Sequence, residues 1–450
     1  MAETARNGTT TRRNGALPEN LFLELGTTGL RQSGGFLQEE YVRDLSGSRG
    51  IRTYKRMAND DILGAILFAN EMLLRQVPWT VQPADETPLA AEHAAWLDGA
   101  LMHDMSQSWD MFLSDCLSFQ IYGWAWHEVV YKRRLGSVPP SGYVPDDPAW
   151  SWWAPSTYDD GLIGWAKWPI RSQDTLLRWE MAHGGEVRAM VQQDPYAAKT
   201  ATIPKAKALL FRLFSAKNSP EGRSLLRHSY DSWYFKSHIR RIEGIGIERD
   251  LAGLFHAQIP PQYMAADASE QEKAILAAIK TIGRNIHRDE QEFLLTPLAY
   301  DENGHELFKF GLMTTGGQRQ FDTTAILQRY DTRMLQSCLA NILMLGMINV
   351  GTQALGGELG ELYSMSLTTI LDSIAEVVNL DAIPQLWALN ALPPETQPLL
   401  THGKVTKVDF DKFTQGLLRL SQAGIILSEA DEAHIRMELD FPAMVAEEEL

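Results

Sequence analysis

The chain has 450 residues, of which 44% are hydrophobic, and a formal net charge of −16. This length gives a soft expectation of about three domains and supplies ample apolar material for a core. The acidic excess argues against a protein that grips nucleic-acid phosphates through a basic surface. Its two cysteines, Cys116 and Cys338, lie far apart, which excludes a disulfide framework and the ligand spacing of a zinc site.

The N-terminal region is polar and contains no apolar segment of the kind that a secretion signal needs. We expect residues 1–50 to form a flexible arm. The longest uncharged run, residues 334–357, is interrupted by polar side chains and four glycines. Because a membrane span needs about 20 predominantly apolar residues, this run predicts no transmembrane helix. The chain is therefore expected to act in the cytoplasm, without a membrane partner.

Residues 51–134 are predicted to be mainly helical. One helix begins after Asn59 or Asp60 as its N-cap and ends at Pro78, and a short strand follows at Trp79–Val81. Further helices are predicted over residues 89–103 and 109–122. The alternating pattern of WAWHEVVYKRR, directly after Gly123, then indicates a strand.

Residues 137–164 form a loop by composition, because five prolines surround Trp150, Trp152 and Trp153. These tryptophans either form a docking patch or fold back over the core of their own domain. A hairpin turned at residues 183–185 follows, and then a strand at residues 208–214.

A long helix is predicted to begin at Ser219, which suits an N-cap, with Pro220 at the first helical position. Its apolar residues lie on two stripes rather than one. A helix of this kind contacts neighbours on two sides, as a strut in a ring of repeated subunits would. An ordinary core helix of a large α/β protein is the alternative interpretation.

The chain changes character after Asp250. We expect an extended segment, a helix capped by Ser269, and a hairpin turned at Asn303-Gly304. A second long helix then runs over residues 321–346. After a glycine-punctuated loop, a third long helix keeps its spacing up to a break at Ile383-Pro384. The acidic C-terminal part predicts two or three short helices.

Motifs that carry chemistry are missing from the sequence. There is no GxxxxGK[ST] loop for phosphates, no GxGxxG after a strand, no HExxH pair and no GxSxG elbow. Paired carboxylates such as Asp60-Asp61 and Asp146-Asp147 are better interpreted as caps and turn residues. We therefore expect no catalytic residues, no metal site and no cofactor.

Several collinear segments resemble tailed-bacteriophage portal proteins, the head-to-tail connectors. They are, in chain order, MANDDILGAI, PWTV, YGWAWHEVVYK, GRSLLRHSYDSWYFKSHIRRIEGIGIERDLAG, QRYDTRMLQSCLANILMLG, GTQAL and IPQLWALN. The resemblance covers about residues 51–441, and it depends on the order of the segments more than on any one of them.

This resemblance implies an α+β, mainly helical, portal-type subunit with wing, stem, clip and crown regions that assembles into a ring of usually twelve copies. Carried onto the chain, the regions would be a flexible N-terminal arm at 1–50, an α/β wing at 51–220, a first stem helix at 221–250, a clip region at 251–320, a second stem helix at 321–346, a tunnel loop at 347–357, a long wing helix at 358–392 and a C-terminal crown region at 393–450.

The resemblance also implies three groups of site residues. The tunnel loop would face DNA, although a plain glycine-rich connector is the alternative for these residues. Basic stem residues would make intersubunit ion pairs or face DNA, and apolar clip residues would anchor partners or pack within the ring. The groups are Met347, Ile348, Asn349, Val350, Thr352 and Gln353 in the loop; Arg227, Lys236, Arg240 and Arg241 in the stem; and Phe255, His256 and Tyr263 in the clip.

The implied partners are further copies of the chain in a dodecamer, double-stranded DNA in the channel, terminase, the major capsid or scaffolding protein, and neck adaptor proteins for head completion. The expected location is the capsid portal vertex of the virion, and the host cytoplasm during assembly. Twelve copies at −16 each carry a formal charge of −192, which would on average repel DNA. The alternative functions are an oligomeric virion scaffold that does not conduct DNA, and a nucleic-acid enzyme with unfamiliar motifs.

Overall fold

The computed structural model describes residues 25–38, 42–182, 184–197, 199–252, 254–286, 300, 306, 308–313, 322–340 and 353–405. The chain divides into two compact units. The first contains the residues up to His228 and those from Leu335 onward, and the second contains Ser229–Met334. We call them the wing unit and the stem unit.

Helices account for much of both units. In chain order they are α1 Gly47–Ala58, α2 Asp61–Arg75, α3 Pro88–Asp98, α4 Trp109–Cys116, α5 Phe119–Tyr122, α6 Tyr230–Ala252, α7 Glu270–Ile286, α8 Thr323–Ser337, α9 Gln353–Val377 and α10 Ile383–Leu389. A π-helical turn at Gly99–His103 follows α3, and another at Val378–Ala382 joins α9 to α10.

The strands are short. They are β1 Gln32–Ser33, β2 Phe36–Leu37, β3 Trp79–Gln82, β4 Trp124–Glu128, β5 Val130–Arg133, β6 Ile163–Lys167, β7 Ile170–Arg171, β8 Leu176–Met181, β9 Val187–Gln193, β10 Thr200–Pro204, β11 Ala208–Arg212, β12 Leu254–Gln258, β13 Lys309–Met313 and β14 Leu399–His402. Their antiparallel sheets have the orders β1-β2, β10-β9-β8, β11-β4-β7, β5-β6, β3-β14 and β12-β13. The predicted α+β class is confirmed.

The wing core is rich in tryptophan. Trp124 and Trp126 of β4 pack against Trp179 of β8, with ring centroids 5.0 and 5.6 Å apart. On the other side of β4, His127 lies against Phe112 and Phe211. Both faces of β4 are thus buried, so its alternating sequence reflects two aromatic layers rather than one core face and one solvent face.

Local sequence signals are confirmed where they concern caps and turns. The Asp60 carboxylate accepts from the backbone N–H groups of Ile62 and Leu63, which caps α2. In the stem unit, Ser269 and Glu272 form a reciprocal capping box before α7. The predicted hairpin is β8-β9, and the predicted strand at Trp79–Val81 is β3.

The expectation that residues 1–50 form a flexible arm is wrong for its second half. Residues 31–38 form a β-hairpin, and α1 begins at Gly47. The backbone N–H of Trp179 donates to the carbonyl oxygen of Gly35 at 2.9 Å. A Cβ built on Gly35 would lie 2.3 Å from the Trp179 carbonyl oxygen, so glycine allows the hairpin to dock on β8. Residues 1–24 lie outside the described residues.

The first long helix begins eleven residues later than the predicted N-cap Ser219. The chain makes a turn at residues 219–222, a 3-10 helix at Leu225–Ser229, and then α6 from Tyr230. The Ser219 hydroxyl accepts from the Glu221 N–H, but Gly222 has a positive φ of 53° and stops helix growth. The capping signals at Ser219 and Pro220 therefore do not start a helix at this position.

The segments around the predicted tunnel loop also differ from the expectation. Helix α8 ends at Ser337, short of the predicted Gly346, and Leu339 takes a left-handed conformation with φ of 57°. Gln353 and the four residues after it belong to α9 rather than to a loop. The predicted wing helix is divided by the π-helical turn, and Pro384 lies in the first turn of α10, where its missing N–H costs nothing.

The proline- and tryptophan-rich loop packs largely on itself and on the wing. Tyr143 contacts Trp150 and Trp153, while Trp152 remains partly exposed. Of the remaining predictions, the turn at Asn303-Gly304 lies outside the described residues, although Tyr300 and Glu306 form an antiparallel bridge. The helices expected after residue 405 also lie outside them. Strand β14, assigned to the crown, pairs with β3 of the wing unit.

Candidate functional site

The stem unit brings α6 and α8 together through a buried ion pair. Lys236 Nζ of α6 lies 2.6 Å from Asp331 Oδ1 of α8, and the side chain of Lys236 is only 3% exposed. Beside this pair, the rings of Phe235 and Tyr330 stack with their centroids 6.4 Å apart. A lysine buried in this way must keep its partner, because an unpaired charge in the interior is strongly destabilising.

A second polar contact fixes the direction of the two helices. Thr323, the first residue of α8, donates its hydroxyl to Glu243 Oε1 of α6. The contact at residue 236 pairs with residue 331 and the contact at residue 243 pairs with residue 323, so α6 and α8 run antiparallel. The two contacts are roughly 10 Å apart along α6 at 1.5 Å per residue.

The face of α6 opposite these contacts is apolar and exposed. Ile242 is 68% exposed and Ile245 44% exposed, and Tyr234 lies on the same face, which Arg241 flanks. At 100° per residue, Tyr234 and Ile245 lie roughly opposite Lys236 and Glu243. Ile242 lies about 100–120° from that pair, on the same flank of α6 as Phe235. Ile242 and Ile245, which belong to the second predicted apolar stripe of this helix, are therefore left exposed within the chain.

The predicted stem cations occupy different environments. Arg240 and Arg241 are exposed on α6, whereas Lys236 is held by Asp331 of the same chain. Arg227 precedes α6 and lines a cleft of about 130 Å³ in the wing unit, together with Arg31, Lys217 and Glu221. The charge of Lys236 is thus neutralised by an ion pair within its own chain.

The clip segment contains a two-stranded antiparallel sheet, β12-β13, and the helix α7 between these strands in the sequence. His256 of β12 is exposed and pairs with Gly311 of β13, and Phe255 pairs through its backbone with Leu312. The ring of Tyr263 packs edge-on against Phe308 with centroids 5.4 Å apart. Of the three predicted anchors, Tyr263 is half-buried within its own unit, and His256 is available at the surface.

The predicted tunnel-loop residues are not brought to a site that can be described. Met347, Ile348, Asn349, Val350 and Thr352 lie outside the described residues, and Gln353 is the first residue of α9. Their DNA-facing role stays a prediction.

No chemical centre accompanies the helices in the described part of the chain. Within it, no group of three or more His, Cys, Asp or Glu side chains could hold a metal ion. The described helices include none that is long and apolar enough to span a membrane. Burial lowers the pKa of His127 to about 4, but this ring lies inside the aromatic core, where its Nδ1 donates to the carbonyl oxygen of Trp168 at 2.8 Å.

The contacts between α6 and α8 could not be predicted from the sequence. Asp331, Thr323 and Glu243 are ordinary charged or polar residues on predicted helices, and their partners lie 80 or more positions away in the chain. The only available signal was the mixed face of α6, where a lysine interrupts apolar positions. That pattern indicates a buried cation only when a second helix with a carboxylate is placed beside it.

One unit of the chain thus contains an antiparallel helix pair with a two-stranded sheet and a helix between its members in sequence, and the other is an α+β unit. A solved structure described as the neck of an empty GTA particle computed with C6 symmetry has this fold. It superposes with a TM-score of 0.51 at 11% sequence identity, covering 90% of this chain and 95% of that chain.

Two further solved structures are similar to a lesser degree. One, described as the virion of a native gene transfer agent (GTA) particle, has a TM-score of 0.49 at 12% identity and covers 90% of this chain and 95% of that chain. The other, the neck of a native GTA particle computed with C12 symmetry, has a TM-score of 0.48 at 11% identity and covers 88% and 95%. No curated protein matches the sequence.

The sequence also matches a family model described as the portal protein of Mu bacteriophage, over residues 51–441. The chain therefore belongs to this family of phage portal proteins. The resemblance inferred from the collinear segments is confirmed, and its extent coincides with the matched residues.

Proposed function

We propose that the chain is the subunit of a portal ring, usually of twelve copies, at one vertex of a viral capsid. The ring would form the channel for double-stranded DNA during packaging and ejection. It would also be the platform on which terminase, and later neck adaptor proteins, dock. Family membership supports the portal assignment, and the fold shared with a particle neck solved with sixfold symmetry supports a ring.

The observation that best supports a ring is the pair of exposed isoleucines on α6. One face is used by α8 through Lys236, while Ile245 on the opposite face and Ile242 on the flank between them are exposed to solvent. Transfer of such side chains out of water is favourable at roughly 25 cal/mol per Å². A closed ring with head-to-tail contacts gives every copy a neighbour on both sides, so it covers this face in all of them.

The substitution Ile242→Glu tests this assignment. A carboxylate at this exposed position leaves the isolated subunit folded but cannot be buried in a subunit contact without a large desolvation cost. We expect the variant to sediment as subunits or small oligomers under conditions in which the wild type forms rings. The control Ile242→Leu keeps the apolar contact and should assemble. Rings formed by Ile242→Glu at wild-type yield would exclude α6 from the subunit contact.

The DNA channel would be lined in part by the tunnel loop. The predicted residues of this loop carry no charge, so contact with phosphates would be steric and weakly polar rather than adhesive. The double substitution Asn349→Lys and Gln353→Lys adds two phosphate-binding groups per subunit. We expect normal rings but impaired packaging or retention of DNA.

Gln353 opens α9, so a lysine there also faces the positive end of the helix dipole, at a cost of about 0.3–1 kcal/mol. The double substitution to alanine controls for loss of the native side chains. If the double-lysine variant packages and retains DNA as the wild type does, these positions do not face DNA.

The clip segment would dock the packaging motor. His256 is exposed on β12 beside Phe255, and an aromatic residue at a protein interface commonly carries much of the binding energy. We expect Phe255→Ala to reduce capture of the large terminase subunit in a pull-down, with Tyr196→Ala, an exposed residue of the wing unit, as the control. Unchanged capture would count against docking at this position.

The alternative function is an oligomeric virion scaffold that never conducts DNA. Both functions predict oligomers, but only the portal predicts an axial hole and a defect in packaging when the loop is changed. The proposal gives the chain no catalytic role. ATPase and nuclease assays on the purified chain should detect no activity, and turnover by it would favour an enzyme.

A further inference from the structure

A buried hydrogen bond joins α9 to α2 in the wing unit. The hydroxyl of Tyr363 donates to Oδ1 of Asn70, and both residues are buried. Asn70 in turn donates through Nδ2 to Oε1 of Gln120, on α5, at 2.8 Å. Three helices that are far apart in the sequence are thus connected by side-chain amide and phenol groups that water does not reach.

The connection continues from α5 to the segment that precedes α6. The backbone carbonyl oxygen of Gln120 accepts from the hydroxyl of Ser224 at 3.3 Å. The same hydroxyl oxygen accepts from the backbone N–H of Leu226 at 3.0 Å. Gln120, Ser224 and Leu226 are buried as well. We call the five residues from Tyr363 to Leu226 the polar relay.

A relay of this kind restrains motion differently from apolar packing. Apolar contacts are not directional, so packed helices can shift by small amounts with little loss. Hydrogen bonds weaken steeply away from their preferred distance and angle, and a buried group that loses its partner is costly. Burial raises the pKa of Tyr363 to about 12, so the phenol keeps its proton and remains a donor at neutral pH.

We infer that the polar relay transmits displacements of α9 at Tyr363 to residues 224–228, the segment that leads into α6. A shift of Tyr363 moves its hydroxyl away, so Oδ1 of Asn70 loses its hydrogen-bond donor. The amide of Asn70 then turns to recover a donor and pulls on the Gln120 side chain, and the resulting movement of α5 draws the Gln120 carbonyl oxygen away from the Ser224 hydroxyl. The inference does not depend on the proposed function, because it concerns the coupling of two segments within the wing unit. The competing account is that each bond only satisfies its own two partners.

Amide hydrogen exchange in the full chain distinguishes the two accounts. Tyr363→Phe removes one hydroxyl and keeps the ring in the core. If the relay transmits, the amide of Leu226 should exchange at least tenfold faster in this variant, which corresponds to about 1.4 kcal/mol of lost protection. Amides of β9, which lies outside the relay, should keep their rates.

The matched control is Ser366→Ala, which removes a hydroxyl from the same helix. Ser366 donates only within α9, to the carbonyl oxygen of Tyr363 at 2.6 Å. An unchanged rate at Leu226 in Tyr363→Phe, or an equal rise in both variants, would overturn the inference.

The relay can also be tested from its other end, in case Tyr363→Phe does not fold. Coupling between two sites is reciprocal, so Ser224→Ala should raise exchange of the α9 amides next to Tyr363 by a similar factor. If those amides keep their wild-type rates while the amide of Leu226 alone is released, the bonds are local and the relay does not exist.

Discussion

Gly123 and Gly222 lie backbone against backbone. A Cβ built on Gly222 would be 2.3 Å from the carbonyl oxygen of Gly123, and a Cβ built on Gly123 would be 2.5 Å from the carbonyl oxygen of Glu221. The Leu213 N–H donates to the Gly123 carbonyl oxygen, and the Arg223 N–H donates to Leu213. The segment that enters the stem is thereby held against the turn between α5 and β4.

We expect Gly222→Ala to destabilise the wing unit by more than its backbone conformation alone explains. Gly222 and Gly47 have nearly the same positive φ, 53° and 55°, but a Cβ at Gly47 would meet nothing within 4 Å. Gly47→Ala therefore measures the cost of conformation alone, about 1 kcal/mol. Gly222→Ala adds the clash and should cost at least about 2 kcal/mol more. Equal melting temperatures of the two variants would contradict this contact.

A buried carboxylate anchors the loop that contains the tryptophans. Asp104 lies 3.1 Å from Lys132 Nζ and 3.6 Å from Arg134 Nε, and it accepts from Ser156 and from the Thr157 N–H. The side chains of Lys132 and Arg134 are no more than 2% exposed. Both cations also meet loop residues, since Lys132 donates to the Pro155 carbonyl oxygen and Arg134 Cζ lies 4.1 Å from the centroid of the Tyr158 ring.

Asp104→Asn should therefore lower the free energy of unfolding by about 3–5 kcal/mol, because it leaves two cations buried with too little compensating charge. Asp160→Asn is the matched control, since Asp160 pairs with the same Arg134 at 3.1 Å but is 32% exposed. It should cost less than about 1 kcal/mol. Chemical unfolding of both variants gives the comparison, and equal losses would show that burial of Asp104 is unimportant.

His127 should make the fold sensitive to acid. Its pKa is lowered to about 4 by burial, against an ordinary value of 6.5. The unfolded chain therefore takes up a proton below pH 6.5 while the folded chain does not, so stability falls as the pH drops from about 6.5 towards 4. The full loss is about 3 kcal/mol.

Glu128 acts in the same direction at lower pH. Burial alone would raise its pKa, but Arg171 and Lys207 lower it below the ordinary 4.5, so this stability is lost as the pH falls below that value. His127→Asn keeps a nitrogen that can donate to Trp168 but cannot titrate. Between pH 6.5 and 4.5 its melting temperature should change less than that of the wild type. Parallel curves for the two proteins would rule out His127 as the titrating group.

Charge reversal on the exposed stem cations should affect assembly. Arg241 lies beside the exposed apolar residues of α6, and Arg240 lies one turn after Lys236, so Arg240→Glu with Arg241→Glu should reduce ring yield at least tenfold. The control reverses Arg178 and Arg188, two exposed arginines on β8 and β9, and changes the net charge equally. Normal ring yield and normal packaging by the stem variant would show that these arginines are not at a subunit contact.

The success of the sequence predictions depended on how far apart the interacting groups are in the chain. Caps such as Asp60 and Ser269 act within three residues, so their patterns predicted α2 and α7 correctly. The turn at Gly222 replaces the helix predicted from Ser219, and its backbone lies against Gly123 from another part of the wing, a contact that the Ser219-Pro220 signal could not reveal. Glycines near the start of α9 indicated a loop, yet Gly356 and Gly357 lie inside the helix.

The stem was predicted as two long helices, but the contacts between them were not predicted. Two apolar stripes on the first stem helix indicated neighbours on both sides, but α8 meets α6 through Lys236, Glu243 and Phe235, which belong to neither stripe. The basic residues were harder to interpret, because Lys236 looks like Arg240 and Arg241 in the sequence. Only its distance to Asp331 separates a cation that joins two helices of one chain from cations that remain at the surface.

Cryo-electron microscopy of the purified full chain tests the central claim most directly. The account predicts closed rings with an axial hole, in which α6 and α8 surround the channel and the face of α6 that carries Ile242 contacts a neighbouring subunit. The tunnel-loop residues should lie at the channel wall. Assemblies without an axial hole, or rings in which Ile242 and Ile245 remain in solvent, would contradict it.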